Sequence, residues 1–349
     1  MGELELIQQI RRASGDGLVR RNRRAPGATG GVVLGIGDDC AILRPARGHD
    51  VLVTTDFSLE GRHFRRDWHP AESVGHRALA RGLSDLAAMG ARPMAAFLSL
   101  ALPKEMVATR SGKAWVQRFF AGLRALAEEH GVPLAGGDTS EAPGGLVLAD
   151  IVLVGSAAAG SALRRSGARA GDALYVTGAL GGAAAELAAI EQRAKGSSAR
   201  IRRELWMPVP DVAADHPQLL PQPRVAVGLA LVRRRLATAA IDLSDGLSTD
   251  LAHLCRESGV GAEIDAAALP IHPLARKSGV ERGQELALNG GEDYELLFSA
   301  SAGVKMPRRL AGVAITRIGK FVRGSEVWID DAAGKRRRLE AGGWEHFAR

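Results

Sequence analysis

Asp50-Val51-Leu52-Val53-Thr54-Thr55-Asp56 is followed by Val74, Ala78, Leu79, Leu83 and Leu86 at helical spacing, and then by the apolar run Met94 to Leu102. The first segment reads as a buried strand that ends in hydroxyls and a carboxylate. The second reads as a helix from Pro70 that stops at Gly90, and the third as a strand. Working outward, Lys113 to His130 is helical, Pro133 leads toward Gly136-Gly137-Asp138, and Leu146 to Val154 is a further apolar run. Short apolar runs that alternate with helical patterns predict a mixed α/β architecture.

Small residues and arginines from Ala157 to Arg169 mark a junction. Beyond it, Ala173 to Thr177 reads as a strand, Gly181 to Ile190 as a helix, Ala239 to Asp242 as a strand, Leu247 to Glu257 as a helix and Tyr294 to Ser299 as a strand, with a Pro-rich loop from Pro208 to Pro223. A length of 349 residues favours two domains, expected at 1–158 and 159–349.

The charge balance, 46 Lys+Arg against 39 Asp+Glu, is +7 and would suit a polyanionic partner. However, only seven of the basic residues are lysines, no basic tract is interleaved with aromatics, and aromatics make up 4% of the chain. That composition argues against a nucleic-acid stacking platform. With 46% hydrophobic and 24% charged residues the chain can bury an ordinary globular core, which excludes wholesale disorder. Cys40 and Cys255 are too few for a disulfide framework or a four-thiolate zinc site, so a reduced cytoplasmic setting is expected. Met1 to Arg12 lacks the apolar stretch of a secretory signal, and the longest apolar run, Pro93 to Pro103, is about half the roughly 20 residues that span a bilayer. No membrane role is expected.

Aspartates recur beside glycines or at strand ends in Gly37-Asp38-Asp39, Thr54-Thr55-Asp56, Gly136-Gly137-Asp138, Asp242-Leu243-Ser244-Asp245-Gly246 and Gly290-Gly291-Glu292-Asp293. Each alone has an ordinary explanation: Asp bonds nearby backbone donors in turns, and Asp245 before Gly246-Leu247 would cap a helix. Five together point to another use. Carboxylates about 4 Å apart repel by roughly 4 kcal/mol per pair at an effective dielectric of 20, so convergence requires cations. Oxygen-only ligand sets suit Mg²⁺, which binds through one or two carboxylates plus substrate phosphates. Asp85 adds to this, because a carboxylate late in its helix opposes the macrodipole by about 0.3 to 1 kcal/mol and calls for a positive neighbour, either a metal ion or Arg81 one turn earlier.

Familiar phosphate loops are absent: Arg110-Ser111-Gly112-Lys113 continues with Ala114, and Gly35 and Gly37 do not complete a dinucleotide fingerprint. Gly178-Ala179-Leu180-Gly181-Gly182 would either present amides to a phosphate at a helix start or serve close helix packing. Gly61-Arg62-His63-Phe64-Arg65-Arg66 reads either as an anion site, an imidazole among three guanidiniums, or as a solvated basic loop. The run Lys335 to Arg338 reads as a solvated face.

The ordered set GIGDDCAIL, TTD, HF, LSDLAAMGARP, GGDTS, LRRSGARAGDALYVTG, IDLSDGLSTDL, GGEDYEL and GGWEHF, from Leu34 to Phe347, resembles the thiamine-monophosphate kinase family of the aminoimidazole ribonucleotide synthetase and selenophosphate synthetase superfamily. The resemblance implies a two-domain α/β fold of the α+β type, with mixed sheets covered by helices and a homodimer formed through the first domain. It also implies transfer of the γ-phosphoryl group of ATP to thiamine monophosphate with several Mg²⁺ ions. By position, Asp39, Thr54, Thr55, Asp56, Asp85, Asp138, Asp242 and Asp245 match the metal shell. Gly137, Asp138, Arg165 and Ser244 match ATP contacts, with Phe120 where a Tyr near the adenine is expected. His63, Glu292 and Trp344 match contacts to the thiamine phosphate. No residue is expected to act as a general base, since a phosphate oxygen is already a nucleophile. The segment Trp206 to Arg224 is longer and richer in proline than the family pattern and is expected to touch no predicted ligand.

Overall fold

The computed structural model describes residues 30–36, 39–195, 215–331 and 333–345. Readings that fell on Met1 to Arg12, Gly37, Asp38, Pro208 and Phe347 lie outside them. The chain divides into two compact units: the first is built mainly from the chain up to Gly160, the second from Ser161 onward, with Ala87–Ala91 belonging to the second and Glu191–Asp215 to the first.

The first unit opens with an antiparallel hairpin of β1 (Gly30–Leu34) and β2 (Ile42–Pro45). Next come β3 (His49–Leu59), α1 (Ala71–Ala88), β4 (Arg92–Leu102), α2 (Arg110–His130), β5 (Leu134–Glu141) and β6 (Leu148–Ala158). The four longer strands form one mixed sheet in the order β3-β6-β4-β5, antiparallel except for the parallel pair β4/β5. Helix α1 arises where Val74, Ala78, Leu79, Leu83 and Leu86 fall on one face, and all five are buried. Helix α2 begins with the Thr109 side chain accepting the N–H of Gly112 and ends at left-handed Gly131. The two helices approach at backbone contact: a Cβ on Gly75 would lie 1.9 Å from the Phe119 carbonyl oxygen, and one on Gly122 the same distance from that of Glu72. Arg118 of α2 grips Glu72 of α1 through two hydrogen bonds of 2.5 and 2.8 Å.

Two expectations change here. Asp56 and Asp138 lie within strands rather than at strand ends, because β3 continues to Leu59 and the segment after Pro133 becomes β5. The backbone pairing of Ser99 with both Asp138 and Asp150 extends the sheet past the glycines.

In the second unit, β7 (Ala173–Thr177), α3 (Gly182–Lys195), α4 (Val225–Arg233), β8 (Ala239–Asp242), α5 (Leu247–Ser258), β9 (Gly261–Asp265), α6 (Val280–Asn289) and β10 (Leu296–Ala300) precede the short β11 (Arg309–Leu310), β12 (Val313–Val322), β13 (Val327–Asp330) and β14 (Arg336–Arg338). The sheet runs β14-β13-β9-β12-β7-β10-β8, with β11 on β12, and only β13/β9 is parallel. Its core joins Leu174, Val176, Ile241, Leu251, Leu254, Ile264, Leu297 and Phe321. At roughly 1.5 to 3 kcal/mol for each fully buried large apolar side chain, such a cluster drives the packing. Tyr294, expected to start a strand, instead adopts φ 49°, and β10 begins two residues later. Both units mix parallel and antiparallel pairing with helical cover, as the α+β expectation requires.

Candidate functional site

In the first unit the alternation of β3 sorts the predicted ligands. Thr54 and Asp56 face one side of the sheet, where the Thr54 hydroxyl donates to the Asp85 carboxylate of α1 and Arg81 lies 3.8 Å from Asp56. Thr55 faces the other side, and its hydroxyl donates to Asp150 Oδ1 at 2.7 Å. One partner of Asp85 is thus a strand hydroxyl, which the helix spacing did not reveal. Asp39 and Asp138 are exposed, and Asp138 accepts the N–H of Thr139 at 2.9 Å. Beside it, Gly137 has φ 149°, and a Cβ there would fall 1.9 Å from the Leu98 carbonyl oxygen, so no side chain shields this stretch of backbone. Phe120 is buried on α2, edge-on to Phe119 at 5.4 Å.

The basic loop is less available to an anion than its composition implies. Arg65 is spent on Asp67 and stacks on Trp68, 4.5 Å from the ring centroid. Arg66 is bound to Glu60 at 2.6 Å and to the Gly145 carbonyl oxygen at 2.7 Å. His63 is oriented by the Leu59 N–H, which donates to Nδ1 at 3.0 Å, while the Arg77 guanidinium donates to its carbonyl oxygen. Arg65 and Arg66 are thus turned to partners of this chain, while the imidazole of His63 is held by the Leu59 N–H.

In the second unit Asp242 closes β8, buried, and the chain turns through Ser244 and Asp245 into α5. The expectation that Asp245 caps this helix is replaced: the cap position is Gly246, and Asp250 in the first turn accepts the N–H groups of Ser244, Asp245 and Gly246, each at 3.1 Å. Burial pushes the Asp250 carboxyl up to about 7, the neighbouring Asp245 carboxylate acts in the same direction, and the three donors oppose both. An acid four residues after the glycine was visible in the sequence but was not assigned this role. Arg165 is exposed, and its carbonyl oxygen receives the Ser258 hydroxyl at 2.7 Å.

Two distant segments are tied to that turn. Glu292 adopts the left-handed φ of 67°, rare for a residue with a side chain, and its N–H donates to the Ser244 carbonyl oxygen at 2.8 Å. Asp293, next to it, accepts the N–H of Gly181 at 2.6 Å and of Ala183 at 3.1 Å. The start of α3 is therefore already supplied with a carboxylate of this chain, which displaces the phosphate reading of Gly178 to Gly182. Burial pushes the Asp293 carboxyl up to about 7 against these donors. From the other side, Gly342, Gly343 and Trp344 donate backbone N–H groups to Ser248 Oγ, Thr249 Oγ1 and the Asp245 carbonyl oxygen at 3.1, 3.1 and 2.9 Å. The Trp344 ring itself stays half exposed.

The segment expected to touch no predicted ligand does so. Gln218 donates from Nε2 to Glu292 Oε2 at 3.0 Å, and Arg224 makes two hydrogen bonds, 2.7 and 2.5 Å, to buried Glu295. Nothing in the sequence linked residue 218 to residue 292, since the pairing exists only across the fold. The run Lys335 to Arg338 is engaged in ion pairs: Arg336 with Asp330 and Glu263, and Arg338 with Glu326 and Glu340. Among the described residues no three His, Cys, Asp or Glu side chains come together closely enough to hold a metal ion by themselves, and no helix is long and apolar enough to cross a membrane.

Comparison with known proteins places both units. Residues 37–157 match the family described as AIR synthase related protein, N-terminal domain, and residues 169–306 match its C-terminal domain. The thiamine-monophosphate kinase of Escherichia coli (strain K12) is 38% identical over 91% of this chain and 93% of its own length. The crystal structure of thiamine-monophosphate kinase from Stenotrophomonas maltophilia K279a superposes with a TM-score of 0.73 at 35% identity, over 94% of this chain and 96% of that one. A structure described as AaThiL complexed with AMPPCP and TMP gives 0.70 at 29% identity, over 99% and 97%. Matches of this extent leave neither unit unaccounted for, and the chain belongs to the thiamine-monophosphate kinase family of AIR synthase related proteins.

Proposed function

We propose that the protein transfers the γ-phosphoryl group of ATP directly to thiamine monophosphate. A phosphate oxygen of the acceptor forms the new bond to the γ-phosphorus, the bond from that phosphorus to the β–γ bridging oxygen breaks, and thiamine diphosphate and ADP leave. The observation that carries this reading is the joining of Glu292 and Trp344 to the Ser244-Asp245 turn, at 2.8 and 2.9 Å. Groups suited to a cationic acceptor are thereby held on the same turn as groups suited to phosphates and their counter-ions.

Because the acceptor is already nucleophilic, catalysis rests on alignment and on neutralising charge. Mg²⁺ fits the donors available, which are carboxylate and hydroxyl oxygens alone: Asp39, Thr54, Asp56, Asp85 and Asp138 in one unit, Asp242 and Asp245 in the other, whereas the Thr55 hydroxyl is turned to Asp150 on the opposite face of β3. Each ion would rest on one or two of these carboxylates and complete its shell with substrate phosphate and water. When bound, the ions supply the positive charge that offsets the repulsion between two phosphorylated molecules. Gly137, Arg165 and Ser244 are assigned to ATP, with buried Phe120 lending an apolar wall and no hydroxyl. His63 is assigned to the acceptor phosphate, Glu292 to the amine-bearing cationic rings and Trp344 to the face of the cation.

The domain division at 158 assigns metal binding, nucleotide binding and dimerisation to the first part and completion of both substrate sites to the second. A homodimer formed by the first part is supported by Val51, Val53 and Phe57, which alternate along one face of β3 with exposures of 50, 65 and 60%. Two unpaired cysteines, Cys255 buried, are in keeping with a cytoplasmic setting. The test is a direct assay: purified protein with Mg²⁺, ATP and thiamine monophosphate is expected to yield thiamine diphosphate, with thiamine and aminoimidazole precursors as control acceptors. Turnover confined to another acceptor would assign the chain to a different ATP-dependent activity.

A further inference from the structure

The geometry points to Gln218 as a positioning residue that sets acceptor recognition by holding the Glu292 carboxylate, an inference that rests on the assignment of Glu292 to the acceptor. A carboxylate only accepts hydrogen bonds, so the Gln218 amide must turn its nitrogen toward Glu292, as it does at 3.0 Å. Gln218 is 1% exposed and has no freedom to leave. Its own N–H donates to Glu186 Oε2 at 2.8 Å, and the same carboxylate binds His216 Nδ1 at 2.7 Å and the Leu219 N–H at 3.3 Å. Glu186 lies in α3, whose first turn is bound by Asp293, the residue after Glu292. Helix, loop and acidic turn thus form one closed circuit with the Gln218 amide as the link that reaches Glu292.

The circuit separates two jobs. Bonds of the neighbouring chain fix where Glu292 stands: its N–H to the Ser244 carbonyl oxygen, the Tyr294 N–H to the Leu243 carbonyl oxygen at 2.9 Å, and the Asp293 carboxylate accepting N–H groups at the start of α3. Gln218 fixes which way its carboxylate points, while Tyr294 Oη stands 3.5 Å from the other oxygen. A neutral donor does this without cancelling the negative charge that a cationic acceptor requires, as an Arg or Lys in its place would. Discrimination by a buried hydrogen-bonded group is the kind that can reach large factors between acceptors.

Kinetics of four variants test the inference, with unfolding temperature recorded for each. Gln218→Leu is expected to raise KM for thiamine monophosphate about tenfold, the scale of one hydrogen bond to a charged group, with KM for ATP within about twofold of the parent. Unchanged acceptor KM would overturn the role. In the double variant with Glu292→Gln, Gln218→Leu should add nothing further, and full additivity would equally overturn it. Gln218→Glu is nearly isosteric and carries the test if the Leu variant does not fold. Its acceptor KM, relative to the parent at the same pH, should be raised at pH 8 and recover toward pH 5.5 as the introduced carboxyl takes up a proton and donates it to Glu292. A pH-independent rise would mark mere packing and overturn the inference. Glu292→Gln by itself separates the two readings: if it leaves acceptor KM unchanged, the assignment of Glu292 fails, whereas a rise with Gln218→Leu silent sinks only the role of Gln218.

Discussion

The backbone N–H of Trp344 donates to the carbonyl oxygen of Asp245 at 2.9 Å, so an indole from the far end of the sequence is pinned to the turn that follows β8. Its main chain is anchored through Gly342, Gly343 and Trp344 while its ring stays half exposed. A ring held in this way presents about half its surface to solvent. Trp344→Ala is expected to raise KM for thiamine monophosphate about tenfold through loss of the cation–π face, with a much smaller change for ATP. Steady-state kinetics with each substrate varied in turn check this, and equal changes in both would count against it.

Asp250 holds the same turn from beneath. Replacing it by Ala strands three N–H groups of Ser244, Asp245 and Gly246 and is expected to cost about 1 to 3 kcal/mol of stability, whereas Asp250→Asn, which keeps one acceptor oxygen, should cost less. Chemical denaturation of the two variants gives the ranking directly.

The exposed and half-exposed carboxylates of the first unit carry little of the fold. Asp138→Asn and Asp56→Asn should therefore unfold close to the parent temperature while kcat falls by about a hundredfold or more, as expected when charge stabilisation in the transition state is removed. Near-normal turnover of both purified proteins would remove them from the metal shell.

Asp293 links stability to pH. Its carboxyl, pushed up to about 7 in the fold mainly by burial, holds a proton more tightly than the unfolded chain does near 3.8. The sign follows: its contribution is full below about 4 and is lost as pH rises through about 7. Melting temperature should thus fall by about 2 to 4 °C between pH 6 and pH 8 from this group, and Asp293→Asn should flatten that slope. An unchanged slope in the variant would locate the titrating group elsewhere.

Phe57 and Val53 offer a test of assembly. A charge at either, as in Phe57→Asp, should shift the protein from dimer to monomer in sedimentation while the isolated fold persists, because these side chains are 60 and 65% exposed and support no core. A dimer that survives both substitutions would place the contact on another surface.

Much of the first unit was legible because its helices and inner strands carry strong periodicity: α1 spans Ala71–Ala88 where Val74, Leu79 and Leu83 predicted it, and β4 covers the run to Leu102. Asp56 and Asp138 were misplaced by the glycines and hydroxyls around them, since local turn chemistry does not report that a neighbouring strand pairs on past them. Tyr294 was read as the start of a strand because an aromatic favours one, but the bonds from Glu292 and Tyr294 to Ser244 and Leu243 impose left-handed backbone instead.

By itself the sequence determined the fold class and the two-part organisation. It also supplied the candidate oxygen ligands, because hydrophobic period and residue chemistry are properties of the chain at short range. Only the tertiary structure decided which side chains meet: Thr54 with Asp85, Thr55 with Asp150 on the opposite sheet face, Asp250 against the turn after β8, Asp293 on α3 and Gln218 against Glu292. A hydrogen bond is settled within about 3 Å, and residues far apart in sequence meet at that distance only once sheet register and helix packing have brought them there.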